Sequence, residues 1–115
     1  MTDDLPILDS TVLGQLRADV GADAMPVLMG ALQRELSASS ATIVSALDAA
    51  DFALLETTAH ALKSSTASFG AMRVSAMCLK LELAARAHDD TEDIKQLLPA
   101  LDHAVSEINS IFGFR

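Results

Sequence analysis

The sequence predicts an all-α protein, an antiparallel four-helix bundle with a short additional helix at the N-terminus. Three observations carry that expectation. Half of the 115 residues are hydrophobic but only 3% are aromatic, with no Trp or Tyr, a composition that suits packed helices better than a sandwich or barrel. Apolar residues recur at helical spacing through four long segments. The breaks between those segments are short, so neighbouring helices turn back on each other. The length fits one domain, residues 1–115, with no repeat, low-complexity tract or linker.

Met1 to Asp9 reads as a lead-in whose Leu5, Ile7 and Leu8 can lie on the core. Asp9 or Ser10 caps a short helix through Val12, Leu13 and Leu16, which Gly21 ends. Asp23 is the expected cap of the second helix, with Pro26 in its first turn, where a missing N–H costs little. Leu28, Leu32, Leu36, Ser39, Ile43 and Leu47 form its stripe, with Met25 and Met29 as core filler. The next boundary, near Asp48 to Asp51, has no Gly or Pro. It is placed there because Asp51 can cap and the apolar stripe restarts at Phe52.

The third helix carries Phe52, Leu55, Ala59, Leu62, Thr66 and Phe69 on one face and stops at Gly70. The fourth turns Val74, Met77, Cys78, Leu81 and Ala85 inward and ends near His88-Asp89-Asp90. Thr91, with Glu92 and Asp93, begins the last helix by capping and by complementing its dipole. Pro99 requires that helix either to kink or to restart after a short first piece. Leu101, Ala104, Val105, Ile108 and Phe112 close the core.

The formal net charge of −8 argues against nucleic acid, whose binders need a basic stripe. The charge is unevenly spread. Residues 57–86 hold Lys63, Arg73, Lys80 and Arg86 against Glu82 alone, so this segment is locally positive in an acidic chain. Chance clustering on solvated faces accounts for such a pattern, and so does steering toward an acidic partner. The longest uncharged run, Leu36 to Leu47, is too short to span a bilayer, and no signal peptide is legible. A soluble chain without direct membrane contact is expected. Cys78, the only cysteine, lies on the apolar stripe, which suits a reducing compartment and an inert core thiol.

Several enzyme readings fail on spacing. Gly14, Gly21, Gly30, Gly70 and Gly113 form no phosphate-cradling loop, and the Glu-x-x-His pairs of di-metal bundles are absent. Glu56 and His60, four apart, could share a metal, but two ligands make a weak site. His88 and His103 have no patterned neighbours and read as ordinary surface or helix-end residues.

His60 differs in its setting. At about 100° per residue it points roughly 130° from the apolar stripe, toward water. Glu56, Lys63, Ser64 and Ala67 share its face, and most of that surface is small. A titratable ring on low-relief ground, with a cation one turn on, is a group another protein can approach closely.

Ala59-His60-Ala61-Leu62-Lys63, the small residues on to Gly70-Ala71, and Cys78 through Leu81-Glu82 together resemble the histidine phosphotransfer (HPt) signature of two-component phosphorelays. The likeness extends in outline over nearly the whole chain. The family's fold is a four-helix bundle, as the periodicity independently predicts. The resemblance implies that His60 takes a phosphoryl group from the aspartyl phosphate of one response-regulator receiver domain and passes it to another. Lys63 would meet the phosphoryl charge. Glu82 would orient the imidazole from the next helix, unless it is simply solvated. Glu56, Ser64, Ala67 and Gly70 would lie under the docked receiver. Ser64 departs from the family's usual glycine after the lysine, and its hydroxyl can bond the carbonyl of His60.

No cofactor is expected on this chain itself, with Mg²⁺ supplied by the receiver's carboxylates, and no ATP-dependent kinase activity. The resemblance also fits a cytoplasmic protein or the cytoplasmic C-terminal domain of a membrane-bound hybrid sensor kinase. A helical interaction or dimerisation module with an incidental His60 is the alternative, and a small metalloenzyme using Glu56 and His60 a second.

Overall fold

Several helix boundaries follow from a local chemical cause. The computed structural model describes residues 5–89 and 91–113; the first four residues of the lead-in, Asp90 and the last two residues of the single-domain span lie outside them. Asp9 accepts from the N–H groups of Thr11 and Val12 and starts α1 (Ser10–Val20), and Gly21, at φ +88°, ends it. The second helix, α2 (Met25–Asp48), departs from expectation at its start. Its N-cap is Ala24, and no side chain caps it. Asp23 lies exposed in the turn that the Ala24 N–H closes on the Gly21 carbonyl. Pro26 sits in the first turn as expected.

The end of α2 explains why its boundary carried no glycine signal. The Asp51 N–H bonds the Ala46 carbonyl at 2.8 Å, closing the helix through a left-handed Ala50 at φ +53°. Glycine usually fills that position. Asp51 then caps α3 (Phe52–Ser68) through the Leu54 N–H at 3.2 Å. The end of α3 repeats the closure with Gly70, at φ +79°, and the end of α4 (Met72–Arg86) repeats it with His88, at φ +52°. The His88 ring stacks on Phe52 with centroids 4.8 Å apart, a partner that spacing alone did not disclose.

Pro99 resolves as a restart. A single turn, α5 (Glu92–Lys95), breaks at Gln96, and α6 (Leu97–Phe112) holds Pro99 in its own first turn. The carbonyl to which a proline at 99 cannot donate is that of Lys95, the last residue of α5. Thr91 holds the N-cap position of α5 without a side-chain bond.

The bundle is formed by α2, α3, α4 and α6, and α1 lies against the end of α3. Leu32, Leu36, Ile43 and Leu47 from α2 meet Leu55, Ala59, Leu62 and Thr66 from α3 in one buried cluster. Val74, Met77, Cys78, Leu81 and Ala85 of α4 join them, with Leu101, Ala104, Val105 and Ile108 of α6. Among the described residues of the lead-in only Ile7 is buried; Leu5 is exposed, its carbonyl accepting from Arg73 at 2.9 Å. No helix among the described residues is long and apolar enough to cross a membrane.

Candidate functional site

His60 stands in the middle of α3, one residue from the fully buried Ala59 and two from the fully buried Leu62. Those neighbours face the core, so the helix turns the imidazole outward, and its side chain is 59% exposed. The backbone beneath it is pinned. Ser75 of α4 donates its hydroxyl to the Lys63 carbonyl at 3.1 Å. The buried Thr66 hydroxyl is satisfied by the Leu62 carbonyl at 2.7 Å.

The other half of the site comes from α4. Glu82 is one position beyond the buried Leu81 and is itself only 1% exposed. A buried carboxylate is costly unless it is paired, and here three donors converge on it. Lys63 Nζ reaches Oε1 at 2.6 Å. His60 Nδ1 and Arg86 Nη2 both reach Oε2, at 2.9 and 2.7 Å. The Lys63 hydrogen bond, helped by the one to His60, holds the Glu82 carboxyl below its ordinary range although burial pulls the other way. Glu82 is therefore not solvated, as one reading of the sequence had it; it is an ionised acceptor within the α3–α4 interface.

Ionised Glu82 fixes the chemistry of the ring. A carboxylate only accepts, so the proton between it and Nδ1 belongs to the imidazole. In the neutral ring the other nitrogen, Nε2, then carries the lone pair. No hydrogen bond to Nε2 occurs among the described residues, and the ring is exposed on that side. The result is an oriented nucleophile on an open face.

The remaining expected residues divide into two groups. Ser64 is exposed, its hydroxyl 3.3 Å from the His60 carbonyl, and Ala67 is partly exposed one turn further on. Glu56 is partly exposed and accepts from Arg86 Nε at 3.4 Å. Gly70 does not belong with them. It is buried, its carbonyl accepts from the Asp9 N–H at 2.7 Å, and a Cβ there would stand 2.6 Å from the Asp9 carbonyl oxygen. The lead-in covers Gly70, so it is a structural residue and not a docking residue.

Arg86 is the residue that sequence reasoning missed. Its spacing of four from Glu82 was the available signal, but that spacing gains meaning only once Glu82 is buried against His60. The locally positive segment is also less open than its composition suggests, because Lys63 and Arg86 bond Glu82 and Arg73 bonds the Leu5 carbonyl. Cys78 is an inert core thiol, pushed up to about 12 chiefly by burial. His103 pairs with Glu107 at 2.7 Å on an exposed face of α6. No group of three or more His, Cys, Asp or Glu among the described residues is placed to share a metal.

Known proteins resemble this chain in sequence and fold. Residues 22–111 match the family model of the Hpt domain. The phosphorelay protein LuxU of Vibrio vulnificus (strain YJ016) is 29% identical over 100 residues, covering 84% of this chain and 87% of that protein. LuxU of Vibrio harveyi is 30% identical over 82 residues, covering 71% of this chain and 72% of that one. The crystal structure of histidine-containing phosphotransfer protein B (HptB) from Pseudomonas aeruginosa PAO1 is similar at a TM-score of 0.87 and 26% identity. That match covers 94% of this chain and 92% of the other.

Proposed function

The chain belongs to the Hpt domain family and serves histidine phosphotransfer in a phosphorelay, and from that premise we propose that His60 is the residue that carries the phosphoryl group. The observation behind this reading is the Nδ1 contact with Glu82 at 2.9 Å on a ring whose other side is open. The Nε2 lone pair attacks the phosphorus of a receiver's aspartyl phosphate. A nitrogen–phosphorus bond forms as the bond to the aspartate oxygen breaks, and the electron pair leaves with the aspartate as carboxylate. The ring keeps its Nδ1 proton and gains a positive charge, which Glu82 faces. Transfer to a second receiver is the same step in reverse.

Such transfer depends mainly on positioning and charge neutralisation. Lys63 supports both. Its ammonium has three donors, Glu82 takes one at 2.6 Å, and the side chain keeps partial exposure beside His60. Ser64 and Ala67 leave low ground for a receiver to settle on, with Glu56 at its edge. Mg²⁺ belongs to the receiver's carboxylates in this scheme, since Glu56 and Glu82 are already bonded to Arg86. The partners are response-regulator receivers, in a cytoplasmic setting, with or without a parent sensor kinase.

The test is to mix the chain with a phosphorylated receiver and look for acid-labile, base-stable phosphate. His60→Gln removes that label while leaving thermal unfolding nearly unchanged, because glutamine can still donate to Glu82 and the site is exposed. Labelling that persists in His60→Gln but disappears on replacing His88 or His103 overturns the assignment.

A further inference from the structure

Two carboxylates flank His60, and one guanidinium reaches both. Arg86 donates from Nη2 to Glu82 Oε2 at 2.7 Å and from Nε to Glu56 Oε1 at 3.4 Å. Glu56 stands one turn before His60 on α3, and a cleft lined by Glu56, Thr57, His60, Glu82 and Arg86 opens beside the ring. The Glu82 oxygen that Arg86 holds is the one that faces His60 Nδ1.

An isolated buried carboxylate against an imidazole favours the imidazolium. That would defeat the site, because the second proton occupies the Nε2 lone pair that must attack phosphorus. The charged groups facing the ring are Glu56 and Lys63 from α3 with Glu82 and Arg86 from α4, and their formal charges cancel. From α2, Glu35 reaches α3 but is held by Ser65 at 2.9 Å. From the α1 side, Asp9 is engaged in capping α1, beside Gly70. Without Arg86 the set facing the ring carries a net negative charge, which draws a proton onto the imidazole and repels an incoming phosphoryl anion.

We propose that Arg86 is a positioning residue for phosphoryl transfer: by holding Glu56 and Glu82 together, it balances the charge of the carboxylate that orients the His60 ring. The proposal rests on His60 being the acceptor. Arg86 touches neither the ring nor the phosphoryl group in this role; it acts through the two carboxylates.

The test uses the full chain and potassium phosphoramidate, a small phosphodonor that needs no docking. His60 Nε2 forms the new bond to phosphorus as the donor's phosphorus–nitrogen bond breaks, and ammonia leaves with that electron pair. Acceptance rates are measured from pH 6 to 9, and the His60 ring is titrated by NMR on its carbon-bound protons. In Arg86→Met the ring charges at higher pH than in the parent, and the ratio of rates at pH 8.5 and 6.5 grows about threefold. Arg86→Lys, which keeps the charge, restores most of the parental ratio. Glu56→Gln moves the titration the opposite way.

A rate that falls equally at every pH in Arg86→Met, with the ring titration unmoved, makes Arg86 a structural clamp and overturns the proposal. If Arg86→Met does not fold, an unmoved titration in Glu56→Gln overturns it instead. His60→Gln in the same assay keeps the two ideas separate. Labelling that survives there refutes the acceptor assignment, whatever Arg86 does.

Discussion

Lys63 Nζ and Glu82 Oε1 meet at 2.6 Å across the α3–α4 interface, from positions nineteen residues apart in the chain. The contact joins the folding of the bundle to the orientation of the His60 ring, because the same carboxylate faces both side chains. Glu82→Gln is expected to cost about 2 kcal/mol at neutral pH, below the figure for a fully buried pair because Lys63 and His60 both reach solvent. The sign of the pH dependence follows from a depressed carboxyl. Its stabilisation is complete above the unfolded value of about 4.3 and is lost as pH falls through the folded value. Urea midpoints measured from pH 7 down to pH 3 should therefore show parent and Glu82→Gln far apart at the top and converging below about pH 4.

Gly70 and Ala50 occupy equivalent left-handed positions at two helix ends, so they should respond in opposite directions. Gly70→Ala places a Cβ at φ +79° and 2.6 Å from the Asp9 carbonyl, a loss of about 2 kcal/mol or more. Ala50→Gly relieves a strained φ of +53° at an exposed site, a gain of up to about 1 kcal/mol. Thermal unfolding of both variants checks the pair. Equal and small shifts would show that the lead-in does not bear on Gly70.

Ser64 is exposed and one turn from His60. Ser64→Tyr should fold normally, within about 0.5 kcal/mol of the parent, yet accept poorly from any receiver. A ring there displaces the partner, and misplacement by about 1 Å costs roughly 10²-fold in rate. Phosphoramidate should still label it, and Ser64→Gly should transfer at least as well as the parent. Parental rates from a receiver to Ser64→Tyr would mean that docking uses another face.

Cys78 offers an alkaline counterpart. Its thiol is pushed up to about 12 from 9.0 by burial, so an unfolded chain releases that proton first. Stability should fall between these values by at most about 1.4 kcal/mol per pH unit. Cys78→Ala, compared by urea unfolding at pH 8 and pH 10, should lose less over that interval than the parent.

Much of this molecule was legible because helices advertise themselves locally. The α3 stripe, the Asp51 cap and an interruption near Pro99, whether kink or restart, all depend on residues a few positions apart. What escaped depends on contacts between distant segments. Glu82 looked as well solvated as buried because its partners His60 and Lys63 belong to another helix. Gly70 was correctly a helix stop, but nothing nearby announced that Asp9 would close over it. The cap of α2 failed for a smaller reason: the turn after Gly21 runs one residue further than Asp23 requires.

The ring of His60 stands exposed on α3 with the buried Glu82 closing its inner side, so a partner reaches it from the solvent side. With His60 as the acceptor, donor and recipient receivers cannot occupy the chain together, and the relay must run as a double displacement in which each partner leaves before the next arrives. The two receivers are then competitors as well as collaborators. An excess of either one in its unphosphorylated form should throttle the flow it normally sustains, so the abundance of idle receivers becomes a brake on signalling.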